Sequence, residues 1–181
     1  MRLDMTNIVY IATSLDGYIA DKNNKVDWLH SIPNPENSDM GFNFHMNRID
    51  ALVIGRNTLD LVLSMDCDWP YSKPVFVLSN SMTSVPNGYK DKIFLIKGDL
   101  KKIIIGLNQK GFNNLYIDGG ITIQNFLKED LIDEIIITTI PILLGGGIPL
   151  FGKLEVPLNF RCCKSERLIN TICQSHFIRE R

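Results

Sequence analysis

Asn114-Leu-Tyr-Ile-Asp118-Gly119-Gly120-Ile-Thr-Ile-Gln-Asn-Phe-Leu-Lys128 is the stretch that decides the fold. Asn114 to Asp118 reads as a buried strand, short and apolar, and Ile121 to Lys128 as the helix that follows it. Two successive glycines at the junction let the backbone approach a bulky anion that any Cβ would obstruct. The helix start, with Ile121 and Thr122, offers free N–H groups and the positive end of the helix dipole. A pyrophosphate fits that arrangement. The same glycines also suit a tight turn that needs only positive φ, and this junction alone does not separate the two readings.

Upstream, Gly55-Arg56-Asn57-Thr58 repeats the pattern. Gly55 ends the apolar run Asp50-Ala-Leu-Val-Ile54. Arg56 and the Thr58 hydroxyl open a helix running to Met65 with leucines at helical spacing. An arginine fork suits two phosphate oxygens; the alternative is a surface arginine beside a threonine cap. Ser79-Asn80-Ser81 follows a third strand, Lys73 to Ser79. It either binds a ribose phosphate or builds a turn. Ligands of open α/β sheets sit beyond the carboxyl ends of strands, where these three junctions converge.

Further out, Asn7 to Thr13 reads as the first strand and Lys92 to Ile96 as another, with a helix over residues 37–47. Asp99 is placed as N-cap of a helix over Leu100 to Lys110, with Gly111 at its C-terminus. A strand over Glu134 to Ile140 precedes a closing antiparallel pair, Phe160 to Arg167 and Thr171 to Ile178. Alternating strands and helices predict parallel pairing in the middle of the sheet. After the first strand comes a polar loop, Ser14-Leu-Asp16-Gly17-Tyr-Ile19-Ala20, then Asp27-Trp28-Leu29, where a dinucleotide-binding Rossmann domain has a glycine-rich turn and a helix. Asp16 is a turn residue and Trp28 a core filler, or the loop is a flap over a bound ring and its substrate. Pro141 to Phe151, with Gly145-Gly146-Gly147, lines that pocket or simply connects to the last hairpin.

At 181 residues the chain fits one domain, 1–181; 45% hydrophobic and 22% charged residues are a globular balance. Nineteen Lys and Arg against twenty Asp and Glu leave a net charge of −1, which argues against nucleic-acid and membrane-surface partners. Cys67, Cys162, Cys163 and Cys173 form no CxxC pair and are read as reduced thiols. The scattered His30, His45 and His176 suggest no metal site. The N-terminal Met1 to Thr6 lacks the apolar run of a signal peptide, and a cytoplasmic location is expected. There is no GxSxG, Walker loop or GxGxxG.

Taken in order, Ala12-Thr-Ser-Leu-Asp-Gly-Tyr-Ile-Ala20, Asp50 to Thr58, Val77-Leu-Ser79, Tyr116 to Gly120, Leu131-Ile-Asp-Glu-Ile135 and Pro141 to Gly147 resemble the dihydrofolate-reductase-like superfamily. Within it they are most similar to the reductase domain of bacterial riboflavin biosynthesis and its stand-alone relatives. The resemblance implies an α/β, three-layer mixed sheet, mostly parallel at its centre with a C-terminal antiparallel hairpin. It implies an NADPH-dependent oxidoreductase that transfers a hydride to a C=N or C=O of a small heterocyclic or ribityl substrate, and a homodimer. On that analogy Ala12 and Ile19 flank the nicotinamide, and Gly55, Arg56 and Thr58 hold phosphate. Ser79 lies near the adenosine 2′-phosphate, and Gly119, Gly120, Ile121 and Thr122 cradle the pyrophosphate. Asp16 and Trp28 line the substrate side. Dihydrofolate reductases carry an acid shortly after the loop tryptophan; here Trp28 is followed by no carboxylate until Glu36 and Asp39, which argues against folate reduction. The alternative is a non-catalytic nucleotide-, flavin- or pterin-binding module on the same fold.

Overall fold

Branched and aromatic residues at alternate positions build the sheet of the computed structural model, which describes residues 5–181. The strands are β1 (Thr6–Ser14), β2 (Tyr18–Ala20), β3 (Ala51–Gly55), β4 (Val75–Leu78), β5 (Ile93–Ile96), β6 (Asn114–Asp118), β7 (Glu134–Ile140), β8 (Ile148–Pro149), β9 (Phe160–Leu168) and β10 (Ile172–Arg179). The helices are α1 (Phe42–Arg48), α2 (Arg56–Ser64), α3 (Leu100–Gln109) and α4 (Gly120–Lys128). Eight strands form one sheet in the order β5-β4-β3-β6-β1-β7-β10-β9, while β2 and β8 make a separate ribbon. Pairing is parallel from β5 to β7 and antiparallel for β7·β10 and β10·β9.

Period-two alternation divides the core between the two faces of the sheet. Ala51 and Val53 of β3 pack with α3 and α4 through Ile104, Leu107, Ile123 and Phe126. Leu52 and Ile54, pointing the other way, pack with Met46 of α1 and Leu59 of α2. The result is the expected α/β, dihydrofolate-reductase-like three-layer mixed sheet, parallel at its centre and closed by a C-terminal antiparallel hairpin. Asp99 caps α3 as expected, accepting from Lys102 N at 3.0 Å.

Three local expectations are corrected. The helix expected over 37–47 begins only at Phe42, because Asn37, Met40 and Gly41 have φ of 49°, 56° and 89°, outside the right-handed helical region. The polar loop after β1 contains β2 and a five-residue 3₁₀ helix at Asp27–Ser31, both too short to give a periodic signal. Gly147 serves the ribbon rather than the cleft: a Cβ there would strike the Ala20 carbonyl oxygen. All four cysteines carry free, exposed thiols. Among the described residues no helix is long and apolar enough to cross a membrane, and no cluster of three metal-ligating side chains occurs. Met1 to Asp4, on which the leader reading partly rests, lie outside the described residues.

Candidate active-site cleft

Parallel pairing of β3 with β6 sets Ile54 opposite Asp118, so the strands end together and α2 and α4 start side by side. Both helices are nine residues long, both begin at a glycine N-cap, and neither has a side-chain cap. Their first N–H groups therefore remain free to meet an anion. The two glycines are demanded by proximity. A Cβ on Gly55 would stand 2.8 Å from Thr122 Oγ1, and one on Gly119, where φ is 94°, would collide with the Thr58 hydroxyl.

These helix starts form the floor of a cleft of about 1080 Å³ at the carboxyl ends of the central strands. Ala12, Ile19, Gly55, Arg56, Thr58, Ser79, Gly119, Gly120, Ile121 and Thr122 all stand on its wall. The β2·β8 ribbon folds over the start of α4, where a Cβ on Gly120 would lie 2.9 Å from Ile19 Cδ1 and 3.1 Å from Ile148 Cγ2. Arg56 Nη1 donates to Ser81 Oγ at 3.2 Å, and its Nε lies 3.5 Å from Asp60 Oδ2. The Ser79 hydroxyl accepts from Ser81 N at 3.3 Å and Met82 N at 3.1 Å, fixing the turn after β4.

Asp16 and Trp28 are not brought onto this wall. Asp16 ties the loop after β1 to the loop after β7. It accepts from Ser14 Oγ at 2.6 Å, from Leu144 N at 3.1 Å and from Gly145 N at 2.8 Å. The Ser14 hydroxyl leads in holding its carboxyl below the usual range. Trp28 is buried against Ile140 and Ile172, and its indole N–H has no partner. Both fill places that the sequence also allowed them, a turn residue and a core filler.

On the α1–α2 side the cleft is walled by Leu29, Phe42, Leu61, Met65, Pro70 and Tyr71, with Tyr116 beneath. The Tyr116 hydroxyl donates to the Tyr10 carbonyl at 2.8 Å. Asp118, missed at the level of sequence, opens into the same space. Its Oδ1 accepts from Gly119 N at 2.8 Å. Burial pushes its carboxyl up to about 6, only partly opposed by that N–H; Tyr71 and Tyr116 are raised first by their own burial and then by the Asp118 charge. The signal was an acid placed directly before the glycine pair at the end of a buried strand.

Comparison with known proteins places these features. The model of the RibD C-terminal domain matches residues 6–174. The uncharacterized protein YwjB of Bacillus subtilis (strain 168) is 33% identical over 180 residues, spanning 98% of this chain and 99% of that protein. A Shewanella sp. PV-4 protein assigned to riboflavin biosynthesis is 68% identical and superposes with a TM-score of 0.96, covering 98% of this chain and 100% of its own. The Thermotoga maritima diaminohydroxyphosphoribosylaminopyrimidine deaminase/5-amino-6-(5-phosphoribosylamino)uracil reductase shares the fold at 16% identity and a TM-score of 0.74; the match covers 97% of this chain and 57% of that longer one. Dihydrofolate reductase of Enterococcus faecalis, solved with NADP(H), shares it at 13% identity and a TM-score of 0.63, over 98% of each chain.

Proposed function

Because the chain belongs to the RibD C-terminal domain family, we propose that it is an NADPH-dependent reductase acting on a C=N or C=O bond of a small heterocyclic or ribityl substrate. The observation that carries the reading is the pair of uncapped helix starts joined over Gly55 and Gly119, a cradle that any Cβ would fill. A dinucleotide pyrophosphate fits there, with Gly55, Thr58, Gly119, Gly120, Ile121 and Thr122 around it. Ala12 and Ile19 bracket the nicotinamide, and Arg56 and Ser79 take the 2′-phosphate. When bound, the cofactor supplies a hydride to the substrate carbon.

The heteroatom bonded to that carbon must take up a proton, and Asp118 is the group that holds one. Its carboxyl, pushed up to about 6 by burial, is still partly protonated near neutrality and faces the cleft. Leu29, Phe42 and Leu61 exclude water from the reacting atoms. The product would carry one hydride and one proton more than the substrate.

Titration with NADPH and NADH, followed by tryptophan fluorescence, tests the reading. Tight NADPH binding with weaker NADH binding supports it; binding of neither in the micromolar range overturns it. Binding without turnover of any acceptor favours the non-catalytic module. Arg56→Ala is expected to weaken NADPH by about tenfold or more and NADH little, since a charged hydrogen bond contributes about 1.5–3 kcal/mol. A loss below about twofold removes Arg56 from the phosphate site. Asp118→Asn is expected to lower turnover by about a hundredfold. In wild type the rate falls as pH rises through about 6, when Asp118 loses its proton; the asparagine variant lacks that inflection. An unchanged inflection assigns the proton to another group.

A further inference from the structure

The two ends of the cleft differ in charge. Among the described residues, the cations on its wall are Arg56 and Lys128. Arg56 is drawn toward the turn after β4 by Ser81, at the adenosine end. Lys128 closes α4, about 12 Å along the helix from Gly120. Beyond the first turn of α2, the α1–α2 end has neither. Its walls are Leu29, Phe42, Leu61, Met65 and Tyr71, and Asp118 opens inward; Asp60, 3.5 Å from Arg56, and Glu129 also line the cleft.

A phosphate group entering this end would also find no free helix start. Phe42, on the wall, begins α1, but that N-terminus is already filled. Asp39 accepts from Gly41 N at 2.9 Å and Asn43 N at 3.0 Å. Those N–H groups lead in holding its carboxyl below the usual range, so it remains an anion. Any phosphate here would therefore meet the Asp118 carboxyl and apolar walls in place of an arginine fork.

We propose, resting on the reductase reading above, that the substrate is an uncharged planar heterocycle without a phosphate, which stacks between Phe42, Leu61 and Tyr71 and turns the heteroatom of its C=N or C=O bond toward Asp118. The Thermotoga maritima enzyme, by contrast, is named for a phosphorylated compound. The likeness in fold does not extend to a phosphate site at this end.

The test is calorimetric titration of the protein saturated with NADP⁺, using 5-amino-6-(5-phosphoribosylamino)uracil and the same compound lacking its phosphate. The dephosphorylated compound is expected to bind as tightly as its phosphate or tighter. A phosphate that strengthens binding by about tenfold or more overturns the proposal, since that is the worth of one charged contact. Binding of neither compound, with NADP⁺ bound, also overturns it and leaves the cofactor site standing. Failure of NADP⁺ itself to bind overturns the reductase reading on which it rests. Met65→Arg places a cation on the α2 wall and is expected to raise affinity for the phosphorylated compound alone, by about tenfold. No gain there contradicts the location of the substrate end.

Discussion

Gly119→Ala is expected to weaken NADPH binding by about a hundredfold or more while leaving the protein folded. Gly119 has φ of 94° and ψ of 134°, a conformation that costs a residue with a Cβ about 1–3 kcal/mol. The new methyl would also drive into the Thr58 hydroxyl on the first turn of α2. Relief requires the Thr58 side chain to turn or α2 and α4 to separate, and either disturbs the anion cradle between them. Gly111→Ala is the matched control: φ is 91°, but nothing lies within 4 Å of the added Cβ. It should cost stability through backbone strain alone, without touching affinity. Circular dichroism melts and fluorescence titration of both variants check this; a folded Gly119→Ala protein binding NADPH within about threefold of wild type would remove the cradle from the cofactor site.

The second large effect is on stability against acid, and His45 is its source. Its side chain is 1% exposed, stacked on Tyr10 at 4.7 Å and edge-on to Tyr116 at 4.6 Å. Neither ring nitrogen has a partner. Burial, with a smaller contribution from the Arg48 charge, lowers its pKa from 6.5 to about 4. Below pH 6.5 the unfolded chain protonates this histidine and the folded chain does not, so stability falls as pH drops toward about 4. The full penalty is about 3 kcal/mol.

Asp118 acts in the opposite sense. Between 3.8 and about 6 the folded chain keeps a proton that the unfolded chain has released, so its contribution to stability falls as pH rises. Where the two ranges overlap they offset one another, and the wild-type curve alone hides both. His45→Phe keeps the stacking and removes two unpaired buried nitrogens. It is expected to stabilise the protein at neutral pH by about 1–2 kcal/mol, and by progressively more as pH falls. Urea denaturation of both proteins from about pH 7 to about pH 4 gives the difference; a constant gap would show that His45 protonates freely in the fold.

That the strand ends converge on one cleft wall was legible in the sequence because its parts are local. Gly55, Ser79 and Gly119 each stand where an apolar run stops, and strand ends of a parallel sheet share one edge. The α1–α2 wall of the cleft was not legible in the same way. Leu29, Phe42, Leu61, Met65 and Tyr71 come from four separate segments, each reading only as an apolar residue in its own stretch. Asp118 looked like part of a turn because its proton affinity depends on how deeply its surroundings bury it. Trp28 was open to two readings, core filler or flap residue, because the buried residues it packs with, Ile140 and Ile172, are more than a hundred residues away in the chain. The ribbon was missed because β2 has three residues and β8 two, too few for alternation to show.

The strand order carries a consequence for how the molecule is made. β1 is synthesised first but lies in the interior of the sheet, and its neighbours are β6 and β7. A nascent chain halted before Asn114 holds β1 without either of its sheet partners. Neither flank can be closed until the later strands have left the ribosome, so folding waits on synthesis and depends on contacts far apart in sequence. During that wait the growing chain is a natural client for chaperones.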